Sequence, residues 1–364
     1  MQKHFLLFSV LVFCILSPNV NGETMDNISP ASLPSLISAI RIGGPVTFCS
    51  EQLPLDSTEV RERLEKELLL ILWNRPQVIL WLKRSTRYFP YIAKILAQND
   101  MPEDLKYIAV VESALLSHAG SSKGAVGYWQ FIKSTGRRYG LTINRNIDER
   151  RNFFASTKAA VRYLQELHDL FGSWTLAAAA YNVGEDRIQE EQSRQKVDNY
   201  YDFYLPLETQ RYIFKIIAVK LVFSNPARFG FHLQPEDYYP PISFDKVKLT
   251  LSYRTPLYLV AQAAETYFKQ IKDLNPEVRG HNLPKGSHII AVPKGSGENF
   301  HSRFAILAEK WRQDNKMHIY IVKKGDNLST IADRFDVALP ALLAWNNLSA
   351  NKYIHPGEKL VIYQ

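Results

Sequence analysis

The spacing of hydrophobic residues predicts a helical domain in the first two thirds of the chain. From Ser57 onward, apolar residues recur three or four positions apart, beginning after the cap-like Ser57-Thr58-Glu59. The same period predicts helices at 78–82, 91–96, 104–116, 156–171, 174–181 and 208–223. Residues 57–225 show no convincing strand alternation, so we predict an all-helical domain over residues 57–235.

A different pattern follows the linker-like Tyr238-Tyr239-Pro240-Pro241, where a short strand, two short helices and a short strand occur twice. The step from Ala261 to Asn275 equals the step from Ala332 to Asn346, which indicates a duplicated module. We therefore predict small βααβ modules over 245–296 and 317–364. The first is degenerate, since it lacks the Gly-Asp turn and the tryptophan of the second. The predicted fold class is mainly α, with α+β modules at the C-terminal end.

The N-terminal residues predict export. Lys3 and His4 precede an unbroken apolar run over residues 5–16, which is followed by small residues ending at Gly22. This run is shorter than the ~20 apolar residues that a transmembrane helix needs. We expect a signal peptide over 1–22 and a protein of the periplasm or cell envelope, with an uncleaved anchor as the alternative. Residues 23–56, rich in Ser, Pro and Gly, are predicted to form a loosely ordered leading segment.

Composition narrows the function classes only slightly. The formal net charge of +8 favours an anionic polymer through long-range attraction, but no basic stripe with interleaved aromatic residues indicates nucleic acid. Once a signal is removed, Cys49 has no cysteine partner, and the histidines lack paired metal-ligand spacing. We therefore expect no metal and no cofactor, and we expect a monomer. Cys14 follows the bulky Phe13, which argues against a lipid-attachment site.

Four short segments resemble, in order, the signatures of the lysozyme-like lytic transglycosylases. These signatures are Glu-Ser, Gly-x-x-Gln, Ala-Tyr-Asn-x-Gly and Glu-Thr-x-x-Tyr. The matching segments are Val111-Glu112-Ser113, Gly127-Tyr128-Trp129-Gln130-Phe131, Ala180-Tyr181-Asn182-Val183-Gly184 and Glu208-Thr209-Gln210-Arg211-Tyr212. One departure is Asn152-Phe153, where relatives more often have Asp-Pro. The resemblance covers roughly residues 80–225.

The resemblance implies a lysozyme-like fold and cleavage of the MurNAc–GlcNAc β-1,4 bond of peptidoglycan, with a 1,6-anhydro-MurNAc end as product. Glu112 would be the sole acid/base, and the sugar's own 6-hydroxyl would be the nucleophile. Apolar neighbours around Glu112 suit this role, because they raise the pKa of a carboxyl. The expected substrate-binding residues are Ser113, Tyr128, Gln130, Tyr181, Asn182 and Tyr212, with Tyr212 directing its hydroxyl toward Glu112. Nearby acids, namely Asp148, Glu149, Glu185 and Asp186, are interpreted as loop or cap residues.

The second module resembles LysM, a small fold that binds glycans containing N-acetylglucosamine. The match rests on residues 320–328, on Trp345-Asn346 and on Ile354-His355-Pro356-Gly357. We expect glycan contacts at Gly325, Asp326 and Asn327 and in the loop after Trp345, and we interpret Trp345 itself as a core residue. Both resemblances indicate peptidoglycan glycan strands as the partner, and peripheral association with the cell envelope stays open.

Two alternatives remain. A hydrolase on the same fold, similar to goose-type lysozyme, would use the same acid but yield a hydrated product. A catalytically inactive wall-binding protein would keep the fold without the reaction, which the joint presence of Glu112, Gln130 and Tyr212 argues against.

Overall fold

The structure is a computed structural model that describes residues 34–314, 317–349 and 351–363. The predicted signal peptide, residues 23–33 and Cys14 lie outside these residues. Within the described residues, none of the helices combines the length and apolar character needed to cross a membrane.

The helical part contains nine α-helices and one short hairpin in the described residues up to Ser224. The hairpin strands are β1 (Thr47–Phe48) and β2 (Glu51–Gln52). The helices are α1 (Leu36–Ile40), α2 (Thr58–Trp73), α3 (Arg75–Ala97), α4 (Lys106–Ser113), α5 (Lys133–Arg138), α6 (Phe153–Phe171), α7 (Trp174–Val183), α8 (Glu185–Gln195) and α9 (Leu207–Ser224). One hydrophobic core joins these elements, and α7 and α9 contribute many of its fully buried side chains. This arrangement confirms the mainly helical fold class.

Two predicted helix boundaries were wrong. The separate helices at 78–82 and 91–96 form one continuous helix, α3, with Pro76 in its first turn and Pro90 inside it. Proline at the start of a helix leaves no hydrogen bond unmade, so Pro76 begins the helix instead of interrupting one. The helix predicted to reach residue 116 ends at Ser113, because Ala114 and Leu115 both have positive φ angles.

The prediction of a loosely ordered leading segment is corrected for residues 34–56. Here Phe48 and Leu53 are buried in the helical core, although their apolar neighbours follow no helical or strand period. Glu51 accepts hydrogen bonds from the backbone N–H groups of Trp174 and Thr175 at the start of α7. A carboxylate at a helix N-terminus satisfies unpaired N–H groups and complements the helix dipole. This segment therefore closes one end of the helical core.

The C-terminal part contains two modules of the same architecture. In the first, β3 (Phe244–Leu251) pairs antiparallel with β6 (Gly286–Pro293), and α10 (Leu257–Ala263) and α11 (Phe268–Leu274) lie between them in sequence. A second pair joins β4 (Thr255–Pro256) to β5 (Asn282–Leu283). In the second module, β7 (Met317–Ile321) pairs with β8 (Lys359–Tyr363) around α13 (Leu328–Arg334) and α14 (Leu339–Asn346). An unpredicted helix, α12 (Phe300–Asp314), precedes the second module.

Two equivalent asparagines hold the helices of each module to its sheet. The amide of Asn275 donates to the carbonyls of Ile271 and Ala291, and its Oδ1 accepts from the Ala291 N–H. Asn346 makes the same three bonds, to Leu342 and twice to Val361. This shared detail gives a physical reason for the equal spacing found in the sequence.

The first module is joined to the helical part by backbone hydrogen bonds. The Asp148 N–H donates to the Glu277 carbonyl at 2.8 Å, and the Arg279 N–H donates to the Asn146 carbonyl at 2.7 Å. Ile147 and Val278 form a bridge between these two bonds. The loop around residue 147 is therefore held from the module side.

Candidate active site

Glu112 lies on the last turn of α4, where the helix stops. Positions 107–110 and Ser113 are buried, while Val111 and Glu112 are half-buried. The left-handed conformations of Ala114 and Leu115 then turn the chain sharply away. This sequence of helix and turn places a carboxyl among apolar side chains without covering it completely.

The Glu112 carboxyl is tuned toward its protonated form. Burial raises its pKa to about 7, and the charge of Glu208 adds to this effect. The hydrogen bond donated by the Tyr212 hydroxyl to Oε1 and the charge of Lys215 act in the opposite direction. Burial also raises the pKa of Tyr212 well above its usual value, so this phenol stays a donor. A group with a pKa near ambient pH can both give and take a proton.

Gln130 lies in the loop between α4 and α5, which Ser113, the residue after Glu112, contacts at the Tyr128 carbonyl. Gln130 has a φ of +48°, a conformation that costs energy for a residue with a side chain. Its Nε2 donates to the carbonyls of Ala119 at 3.1 Å and Gly127 at 2.9 Å. Because both partners are acceptors, the amide orientation is set, and Oε1 is left as the acceptor that a ligand can use.

Ser113 and Tyr181 hold this loop against the helices. The Ser113 hydroxyl is 2.7 Å from the Tyr128 carbonyl and 3.1 Å from the Ala109 carbonyl. The Tyr181 hydroxyl donates to the Trp129 carbonyl at 2.7 Å. Both residues therefore fix the loop relative to Glu112, which makes them positioning residues in this geometry.

Tyr128 and Trp129 lie in the core. The ring of Tyr128 is 6% exposed and packs against Tyr88 and Phe153. Trp129 is fully buried and donates to Thr157 at 3.0 Å. The expectation that Tyr128 contacts the sugar is corrected, since a buried ring offers no stacking face.

Asn182 lies at the end of α7 and meets α9. Its Oδ1 accepts a hydrogen bond of 3.1 Å from Thr209, which leaves its amide N–H groups as donors for a ligand. Thr209 is buried and Tyr212 follows one turn later on the same helix. Around the Glu112 carboxyl, the Tyr212 hydroxyl donates a hydrogen bond, and Tyr181 is close enough that the charge of Glu112 adds to burial in raising its pKa. Tyr181 in turn holds the Gln130 loop at the Trp129 carbonyl.

A buried ion pair that was not predicted from the sequence positions the Gln130 loop. Arg150 makes two hydrogen bonds of 2.8 Å to the Asp148 carboxylate. Its Nη1 donates to the carbonyls of Gly124 and Phe131 at either end of the loop. Burial alone would raise the pKa of Asp148, but the bonds and charge of Arg150 hold it below its usual value. Asp148 is thus an anchor for this loop.

The other nearby acids also have partners of their own. Glu149 accepts from the Thr142 N–H at 2.6 Å. Glu185 accepts from Tyr163 at 2.7 Å and pairs with Arg138 at 2.6 Å. Asp186 is exposed at the start of α8. These contacts agree with loop and cap roles.

The charge of Glu208 reaches Glu112, although the sequence had indicated no role for this residue. Its side chain is 67% exposed and lies 3.4 Å from the Lys123 ammonium. Glu208 precedes Tyr212 by four positions on α9, so helix geometry places both on one face. This four-residue spacing was the sequence signal that could have placed Glu208 near the site.

In the second module, the predicted glycan-binding residues have internal roles. Gly325 has a φ of +91°, which favours glycine. The Asp326 carboxylate accepts from the Tyr320 hydroxyl at 2.6 Å and the Lys323 N–H at 2.7 Å, and it pairs with Arg334. Asn327 caps α13 by accepting from the Thr330 N–H at 2.9 Å. These bonds fix the shape of the 325–327 turn and occupy the Asp326 oxygens.

The described part of the chain contains no cluster of three or more His, Cys, Asp or Glu residues that could hold a metal ion.

Comparison with known families gives two matches. The Transglycosylase SLT domain matches residues 89–203, and the LysM domain matches residues 320–362. The chain is similar to two solved structures at 18% identity. The 70 kDa soluble lytic transglycosylase of Escherichia coli aligns with a TM-score of 0.36 over 50% of this chain and 31% of that one. The lytic transglycosylase Slt of Pseudomonas aeruginosa aligns with a TM-score of 0.30 over 42% of this chain and 25% of that one. The chain thus spans less than a third of either structure's length.

Curated relatives give broader coverage. The membrane-bound lytic murein transglycosylase D of Escherichia coli strain K12 is 32% identical over 331 residues, which cover 86% of this chain and 72% of that protein. A putative tributyltin chloride resistance protein of an Alteromonas species is 33% identical over 113 residues, covering 30% of this chain and 55% of that protein. The chain therefore belongs to the lytic murein transglycosylases, enzymes that act on peptidoglycan, and carries a C-terminal LysM domain.

Proposed function

We propose that this protein cleaves the MurNAc–GlcNAc β-1,4 bond of peptidoglycan with Glu112 as the sole acid/base. The nucleophile is the 6-hydroxyl of the MurNAc residue, which attacks C1 of the same sugar. The observation that carries the proposal is the Glu112 carboxyl, half-buried, with a pKa raised to about 7 by burial and with its Oε1 accepting from Tyr212. A lone carboxyl needs both protonation states near neutral pH, and this environment supplies them.

In the first step, Glu112 donates its proton to the bridging oxygen. The bond between that oxygen and C1 of MurNAc breaks, and its electron pair stays on the leaving oxygen. Glu112 is left as a carboxylate, and the Tyr212 hydroxyl stabilises this anion by the hydrogen bond to Oε1. The C1 centre has oxocarbenium character at this stage.

In the second step, the Glu112 carboxylate takes the proton of the 6-hydroxyl of the same MurNAc. O6 then forms a bond to C1 and closes the 1,6-anhydro ring, and Glu112 is protonated again. No water is consumed, and the acid returns to its starting state. Because the substrate supplies the nucleophile, a second protein carboxylate is not needed.

The neighbouring groups suit a sugar ligand. The Gln130 Oε1 and the Asn182 amide N–H groups offer an acceptor and donors, since their other atoms are already hydrogen-bonded to protein. Ser113 and Tyr181 keep the Gln130 loop in place through backbone carbonyls. We assign binding to Gln130 and Asn182, and positioning to Ser113 and Tyr181.

A hydrolase on the same fold is the second candidate, and the position of Glu208 favours it. The charge of this exposed carboxylate reaches Glu112, and a second carboxylate can activate a water molecule in an inverting hydrolase. The two reactions differ in whether water enters the product.

The mass of the product ends decides between them. Purified sacculi are digested by the wild-type protein in ordinary and in ¹⁸O-labelled water, and the released fragments are analysed by mass spectrometry. We expect ends that are lighter than hydrolysed ends by one water, about 18 mass units, and that carry no ¹⁸O. Heavier ends that incorporate ¹⁸O would identify a hydrolase, and an absence of released fragments would favour a wall-binding protein.

We propose a role in this function for each of the following parts of the chain. Residues 1–22 would direct export to the periplasm or cell envelope, and 57–235 would carry the reaction. Residues 245–296 would be a degenerate LysM-like module, and 317–364 would bind glycan. We propose a monomer that associates peripherally with the envelope.

A further inference from the structure

A groove with a volume of about 420 Å³ lies where the first module, α12 and the second module meet. Its lining includes four aromatic residues and two polar ones. They are Tyr258, Trp311, Trp345, Tyr363, Arg254 and Asn282. The lining includes no residue of the 325–327 turn or of the loop after Trp345, so the groove is distinct from the contacts predicted for the LysM domain.

The aromatic side chains of the groove come from three parts of the chain, and the rings of Trp311 and Trp345 both pack against Tyr363. Trp311 on α12 stacks on Tyr253 with ring centroids 5.8 Å apart and contacts Tyr363 on β8 at 5.8 Å. Trp345 on α14 meets Tyr363 edge-on at 5.4 Å. Tyr258 on α10 is 43% exposed at the groove. Rings held in this way form a preorganised surface and lose little side-chain freedom when a ligand binds.

Arg254 brings hydrogen-bond donors to the same groove. Its Nη1 donates to the Ala344 carbonyl at 2.9 Å, which fixes the guanidinium and links the two modules. A guanidinium has five N–H donors, so one bond leaves others for a ligand. Asn282 adds a side-chain amide to the lining.

The groove exists because two unlike modules are joined. The sequence alignment of the modules places Leu274 of the first where the second has Trp345. A Trp345 counterpart is therefore missing in the first module, and α12, which supplies Trp311, lies between the modules. The degenerate module thus contributes through its position at this junction.

We propose that this junction groove binds the N-acetylhexosamine glycan of a peptidoglycan strand, as a site additional to the LysM turn. Sugar rings have apolar C–H faces that pack on aromatic faces, and polar rims that accept from groups such as Arg254 and Asn282. The proposal rests on the proposed substrate. It gives the C-terminal part of the enzyme a second binding site for the glycan strand.

The test uses the full chain with Glu112→Gln, so that the probe is not cut. The probe is soluble glycan strands freed of stem peptides, titrated by calorimetry. Adding Tyr258→Ala is expected to weaken binding between about three- and tenfold, the effect of one aromatic contact. Tyr267→Ala is the matched control, because Tyr267 is 63% exposed in the same module but does not line the groove. Equal binding by the Tyr258→Ala variant and its parent, or equal weakening in the control, would overturn the proposal.

A second readout reports the groove directly. The chain has six tryptophans, so a 5-fluorotryptophan-labelled sample gives few ¹⁹F signals, and Trp311→Phe assigns the one from Trp311. We expect glycan strands to shift the Trp311 signal, whereas an unmoved signal at saturating glycan contradicts the proposal. These readouts do not depend on product mass. A hydrolytic product would therefore not contradict glycan binding in the groove, and a failure of glycan to bind there would not contradict the proposed reaction.

Discussion

Replacing Glu112 by Gln is expected to lower the rate of peptidoglycan cleavage by about 10³-fold or more, within the range that general acid–base catalysis contributes. Glutamine is nearly isosteric, and its amide can still accept from Tyr212, but it cannot deliver a proton to the bridging oxygen. The measurement is the release of soluble fragments from purified sacculi at pH 7. The matched control is Glu208→Gln, which removes an exposed carboxylate near Glu112 and is expected to keep activity within about threefold of wild type, as exposed charges act weakly.

The fold of the Glu112→Gln variant is expected to be at least as stable as wild type at pH 8. The folded pKa of Glu112 is raised to about 7 from an unfolded value of about 4.3, so wild type loses stability as the pH rises between these two values. The neutral amide of the variant avoids this loss, which is fully present at pH 8. Thermal unfolding at pH 8 checks this. Cleavage by Glu112→Gln at the wild-type rate would remove Glu112 from the reaction, and a loss shared by Glu208→Gln would favour the two-carboxylate hydrolase.

Replacing Gly127 by Ala is expected to destabilise the protein by about 3 kcal/mol or more and to reduce cleavage more than tenfold, because a forced backbone shift adds to positive-φ strain. Gly127 has a φ of +87°, and an added Cβ would lie 1.9 Å from the Arg150 carbonyl oxygen. Neither backbone can move freely, since Arg150 holds both ends of the Gln130 loop.

Gly124→Ala provides the control for Gly127. Gly124 has a similar φ of +79°, but its added Cβ would have no atom within 4 Å. Its cost is then the backbone strain alone, about 1–2 kcal/mol, with little effect on cleavage. Urea unfolding and the sacculus assay compare both variants. If the two variants lose equal stability, the close approach of Gly127 to Arg150 plays no part.

The fold was predictable where the hydrophobic period was regular. The helices of α6 and α9 carry apolar residues every three or four positions, and the two modules repeat their landmarks at equal spacing. The end of α4 was not predictable, since left-handed Ala114 and Leu115 depend on tertiary contacts that override local preference. Likewise, the hairpin at Phe48 joins the core through a few irregularly spaced side chains.

For the candidate site, the sequence identified the residues but did not show which of them bind substrate and which position the loop. The resemblance led to Glu112, Gln130 and Tyr212, but whether a hydroxyl such as that of Ser113 faces a sugar or a carbonyl depends on the loop conformation. The Asp148–Arg150 pair was missed because two residues of opposite charge in a loop look like a solvated surface. Only the folded chain shows Arg150 buried against the Gln130 loop.

Direct titration of the Glu112 carboxyl tests the central claim, that its surroundings raise the pKa of this one group to near neutral pH. The ¹³Cδ signals of labelled glutamate are followed from pH 4 to pH 9, and the signal absent from Glu112→Gln identifies the residue. We predict a pKa of about 7 in the wild type and a higher pKa in Tyr212→Phe, where the hydrogen bond that lowers it is lost. A Glu112 pKa near the ordinary value of about 4.3 would contradict the account.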